Sequence, residues 1–161
     1  MTATPFRWAL ECVKNVEELA EKGVIEADND PLETYYKRAT RAAIMVSEEG
    51  LPMTLAFLAS RGPKDPGTLL AYHLSAYINH VVLPEKEPNW SKLRRECFEP
   101  PDDTEKLRER VRNEVRKALT ELAKREEPHE MLDIASQALD LLNTVKRVAE
   151  GWHEIAKFGG D

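Results

Sequence analysis

Cysteine is nearly absent from this 161-residue chain: Cys12 and Cys97 stand far apart, and fit neither a disulfide framework nor a metal knuckle. Glycine is also scarce, at 7 residues, and none forms the clustered loop that cradles a phosphate. Aromatic residues make up 7 % of the chain. No stretch alternates apolar and polar residues over a strand's length, which argues against a sheet. No 18-residue apolar span occurs, so a membrane helix is not expected. Arg7 to Leu10 gives no continuous apolar run of the kind that opens a signal peptide. The expectation is a soluble, cytoplasmic protein.

Charge and helix formers are abundant. Charged residues reach 32 %, and Ala, Leu, Glu, Lys and Arg dominate, a mixture that favours helix. The length suits one domain with a sizeable core. The net charge of −6 is unevenly spread. Residues 1–33 carry 3 basic and 8 acidic side chains, whereas residues 34–95 carry 9 basic and 5 acidic. A locally basic middle in an acidic chain permits one face to meet a polyanion, although scattered surface charge gives the same count.

Periodicity and punctuation predict about six helices in an all-α bundle, with the whole chain, 1–161, as a single helical domain. The first runs from about Pro5 to Lys22, with Phe6, Ala9, Leu10, Val13, Val16 and Ala20 at helical spacing. Asp30-Pro31 starts the second, in which Leu32, Tyr35, Ala39, Ala42 and Val46 share a face. Gly50 then ends it in a left-handed cap, and Pro52 opens a short third helix. Its apolar Leu55, Phe57 and Leu58 belong in the core, before Arg61-Gly62 closes it. Asp65-Pro66 starts a fourth helix that Pro84 ends. Pro84, Pro88, Pro100 and Pro101 mark residues 84–103 as a proline-rich surface connection anchored by Trp90 and Phe98, because four prolines in this span cannot continue a regular helix. A fifth, charge-dense helix carries a narrow apolar seam of Leu107, Val111, Val115, Ala118 and Leu122. After Pro128 a long last helix keeps one face apolar from Met131 through Ile155, and Gly159-Gly160 frays its end.

No catalytic constellation emerges. His73 and His80 lie seven apart, without the further ligands that a zinc site needs, and read as packed or capping histidines. His129-Glu130 lacks the second histidine of a zincin motif, and His153 reads as a solvated edge residue. The pairs Glu17-Glu18, Glu48-Glu49 and Asp102-Asp103 diverge on a helix, and suit caps better than acid–base work. Neither a metal nor a cofactor is implied, and the chain does not read as an enzyme. Candidate phosphate contacts are Lys37, Arg38 and Arg41 on the second helix, Arg61 with Lys64, and Lys146 with Arg147. Such contacts carry no sequence information, so any RNA binding would be unspecific. Tyr35, Tyr36 and Tyr72 sit in apolar register and read as core before stacking platforms.

The segments YYKRATRAAIMVSEEGLPMTLAFLASRG, TLLAYHLSAYI and ASQALDLLNTVKRVAEG resemble the small α-helical subunit of the type III-B CRISPR effector, the Cmr complex. The resemblance covers about Tyr35–Ile78 and Ala135–Trp152. It implies a non-catalytic assembly subunit for antiviral defence. Copies of such subunits stack beside the backbone subunits, and together they line a basic groove for the guide–target RNA duplex. The matching basic positions are Arg38, Arg41, Arg61, Lys146 and Arg147. A type III-A small subunit would have the same role; the Leu-Ala-Phe block favours III-B. The acidic net charge and the connection at 84–103, which has no counterpart in the family pattern, are departures. A helical adaptor that binds only protein is the alternative.

Overall fold

Proline starts most of the helices in this protein. In the computed structural model, which describes residues 4–125 and 127–158, five of seven helices carry it at their first or second position. There its missing N–H costs nothing, and its fixed φ is already helical. The helices are α1 (Pro5–Glu21), α2 (Pro31–Glu49), α3 (Leu51–Ala59), α4 (Pro66–Tyr77), α5 (Trp90–Phe98), α6 (Thr104–Ala123) and α7 (Pro128–Ala156). Thr4, Asp30, Asp65, Asn89 and Asp103 each accept a backbone N–H at a helix start, and so satisfy orphan donors. Strands are absent among the described residues, as the composition predicts.

Helix α4 is the centre, with every residue from Pro66 to Tyr77 buried. Helices α1, α2 and α7 pack together along one side, and α3 and α6 close against α4. The seam of Leu107, Val111, Val115, Ala118 and Leu122 is buried as the spacing predicts. Trp8, fully buried, gathers the aromatic cluster: its ring lies 4.7 Å from Phe98, 5.4 Å from Tyr77 and 6.2 Å from Trp90.

Four sequence expectations need correction. The proline-rich segment 84–103 contains a seventh helix, α5. Its prolines all lie outside Trp90–Phe98, and Trp90, Leu93, Cys97 and Phe98 form a buried face. Its last carbonyls are met from elsewhere: Asn15 Nδ2 donates to Phe98 O at 3.3 Å and Tyr72 OH to Cys97 O at 2.6 Å. Gly50 does have a positive φ, but at φ 91° and ψ 161° it is not in the left-handed helical well. It turns the chain through a glycine-only region instead. Helix α3 is buried on one side only: Leu51, Leu55 and Leu58 are inside, Phe57 is half-buried, and Met53 is 60 % exposed. In α7, Leu141 joins the buried face, whereas Ile155 lies in solvent. Gly159-Gly160 falls outside the described residues.

The fourth helix also stops being α-helical before Pro84. Residues Ile78–Val82 form a π-helical turn, with Leu83 N bonded to Ile78 O at 2.9 Å. The wider turn lets neighbouring side chains reach one carboxylate on α6. Asn79 Nδ2 lies 2.8 Å from Glu114 Oε2, and His80 Nε2 lies 3.0 Å from Glu114 Oε1. Burial opposes ionisation of Glu114, but these hydrogen bonds prevail and hold its pKa below the usual carboxylate value. No helix among the described residues is long and apolar enough to cross a membrane.

Candidate nucleic-acid interface

The basic residues singled out in the sequence divide into two groups. Arg38, from the middle of α2, meets Asp65, the N-cap of α4, with Nε 3.4 Å from Oδ1 and Nη2 3.3 Å from Oδ2. Arg61 approaches the same carboxylate at 4.0 Å, and its guanidinium lies 5.7 Å from the centre of the Phe57 ring. Asp65 Oδ1 also accepts the Gly67 N–H at 2.7 Å. Position 67 must be glycine for this cluster to close, because a Cβ there would sit 2.8 Å from Asp65 Oδ1 and 3.3 Å from Arg38 Cδ.

Lys64 pairs with Glu26 at 3.3 Å, and Lys37 with Glu33 at 2.9 Å. The hydrogen bond and charge of Lys37 hold Glu33 below its ordinary pKa, and Glu33 raises that of Lys37. Together these side chains line a cleft of about 520 Å³. It has alternating signs: each of its cations Lys37, Arg38 and Lys64 already faces a carboxylate, as does Arg61 outside it. The fold therefore brings these four together but neutralises them locally.

Arg41, Lys146 and Arg147 differ. Arg41 and Arg147 are exposed and have no ion pair within 4.0 Å among the described residues; Lys146 meets Glu150 only at 3.9 Å. Helices α2 and α7 run antiparallel, since His153 near the end of α7 lies 3.7 Å from Asp30 and its ring 6.1 Å from that of Tyr36. Five residues beyond Tyr36, at about 1.5 Å per residue, Arg41 stands roughly level with residues 147–149 of α7. Arg41 and Lys146-Arg147 thus stand at about the same height along the antiparallel pair.

Three of the four histidines, His73, His80 and His153, are held structurally. His73 is buried, and its Nε2 lies 2.8 Å from Asn15 Oδ1, an acceptor, so that nitrogen carries the proton. Its Nδ1 then accepts from Tyr35 OH at 2.7 Å. One neutral imidazole satisfies both partners, and burial pushes its pKa down to about 3. His153 is not the solvated edge residue that its position in the sequence suggests: its side chain is 14 % exposed, beside Asp30 and Tyr36. Tyr35 and Tyr72 are buried and Tyr36 half-buried, as their apolar register implies. Among the described residues, no group of three or more His, Cys, Asp or Glu side chains is placed to hold a metal ion.

One basic feature was missed. Arg108, Arg112 and Arg116 are exposed along α6 at a four-residue spacing, visible in RERVRNEVRK as a row within a helix whose charge density and apolar seam alone were read from the sequence.

The family model described as CRISPR-associated protein (Cas_Cmr5) matches residues 6–152. The chain belongs to the Cas_Cmr5 family. The match spans α1 through most of α7, including α5 and the proline-rich residues that flank it. It bears out the resemblance to the small subunit of the type III-B Cmr complex, and makes this chain a CRISPR-associated Cmr subunit. No match was found among the curated proteins or the solved structures.

Proposed function

We propose that this Cas_Cmr5 chain is a non-catalytic, single-domain small subunit of a type III-B effector, in the cytoplasm. In this reading it stacks with copies of itself beside the backbone subunits and lines part of the groove that holds the guide–target RNA duplex. The observation that carries the RNA contact is exposed Arg41 on α2 and Arg147 on α7, both without close carboxylate partners, with half-buried Lys146 next to Arg147. Arg38, Arg61, Lys37 and Lys64 have a supporting role, since their charge is largely spent on Asp65, Glu26 and Glu33. Few phosphate contacts per copy make each weak, and arraying copies multiplies them by avidity.

The test is charge reversal at Arg41, Lys146 and Arg147 in the assembled complex. Target RNA capture should weaken and its salt dependence should flatten, because each lost phosphate contact removes a released counterion. Unchanged capture and salt slope in a complex that contains the variant would refute the assignment. The same local neutralisation of the cleft favours a second reading, a helical adaptor that touches only protein. That reading requires association with the complex to be indifferent to these reversals and to RNA.

A further inference from the structure

A second groove, of about 420 Å³, lies between α6 and the end of α3, away from Arg41, Lys146 and Arg147. Its first wall comprises Ala59, Ser60, Gly62 and Pro63. The opposite wall is the arginine row of α6, Arg108, Arg112 and Arg116, about 12 Å long at the helical rise. Between them, Val111 and Val115, each 6 % exposed, line the floor. Arg112 and Arg116 have no ion pair within 4.0 Å among the described residues, and Arg108 meets Glu105 only at 3.9 Å with both side chains largely in solvent. Two of the three cations, Arg112 and Arg116, are thus held beside an apolar trough without an ion-pair partner among the described residues.

We propose that this groove docks an acidic amphipathic helix from a partner protein. Its apolar side chains would enter over Val111 and Val115, while its carboxylates face the arginine row. Recognition of a helix by a groove needs apolar anchors on one stripe, and arginine is favoured at such rims because it pairs bidentately with carboxylates. Nucleic acid fits the same surface poorly. Its phosphates gain nothing from an apolar floor, and no aromatic side chain lines the groove to stack a base. Helix α1 of a second copy is a poor occupant, because Val13, Val16 and Leu19 between its carboxylates are fully buried. This docking site is separate from the RNA contact above, and neither depends on the other.

The test places a photo-crosslinking residue, p-benzoylphenylalanine, at the exposed Ser60 of the wall, in the complex purified with its other subunits. The cross-linked segment is mapped by mass spectrometry. The expected product is a helical segment of another subunit that carries carboxylates beside apolar residues. Its yield should fall roughly tenfold with Arg112→Glu/Arg116→Glu and clearly less with Arg112→Lys/Arg116→Lys, which keeps the charge but loses the bidentate geometry. Circular dichroism checks that each variant keeps its helix content. A cross-link to RNA, to a second copy, to a segment without carboxylates, or to nothing overturns the proposal. So does a yield that ignores the charge reversal.

Discussion

Acidification should destabilise this protein through one side chain, His73. Its imidazole is fully enclosed between Tyr35 and Asn15, with burial lowering its pKa from 6.5 to about 3. The folded protein therefore refuses a proton that the unfolded chain accepts below pH 6.5. A depressed pKa of this kind makes stability complete above pH 6.5 and erodes it as pH falls toward 3. Between these limits the loss approaches about 1.4 kcal/mol per pH unit, so at pH 5 about 2 kcal/mol is gone relative to pH 7.5. For a chain of this size that corresponds to a fall in Tm of about 4–8 °C. Thermal unfolding followed by circular dichroism at pH 7.5 and pH 5.0 measures it, with His73→Gln as the non-titrating reference. Gln should cost about 1–3 kcal/mol at pH 7.5 by leaving a partner unmet, yet should lack this part of the acid sensitivity. If both proteins lose the same stability between the two pH values, His73 is not the sensor, and the neutral bridge between Tyr35 and Asn15 is misassigned.

Two further outcomes test the architecture. Gly50→Ala forces a Cβ onto backbone at φ 91°, ψ 161°, and should destabilise by about 1–3 kcal/mol in urea unfolding; an unchanged midpoint would mean the elbow relaxes freely. Asp65→Ala removes the α4 cap and the partner of Arg38, and should cost about 1–2 kcal/mol by the same assay, with Asp65→Asn retaining most of the cap; equal losses for both would place the effect in the ion pair instead.

Much of the fold was legible because its signals are local. The Thr4, Asp30, Asp65 and Asp103 caps, with proline just inside several helix starts, mark helix boundaries within a few residues. The α6 seam was legible for the same reason, since a strict helical period needs no partner to be seen. Helix α5 was missed because counting prolines across residues 84–103 hid a proline-free nine-residue core, whose end is closed by Asn15 and Tyr72 from distant helices. The candidate site was legible only as a list of cations. Which of them remain available depended on carboxylates far along the chain, as Arg38 with Asp65 and Lys64 with Glu26 show.

The amino-acid sequence by itself determined six of the seven helices, their starts and most of the apolar stripes that bury them, because caps, prolines and periods act over a few residues. Its family-specific blocks also carried the resemblance to the small Cmr subunit. Only the tertiary structure decided how charge is distributed in space. It neutralised the basic cluster around Asp65, left Arg41 and Arg147 facing solvent, set His80 on Glu114, and aligned three arginines beside an apolar groove. Charges act through space at a few ångströms, and the chain distance between two partners says nothing of that separation until the helices pack.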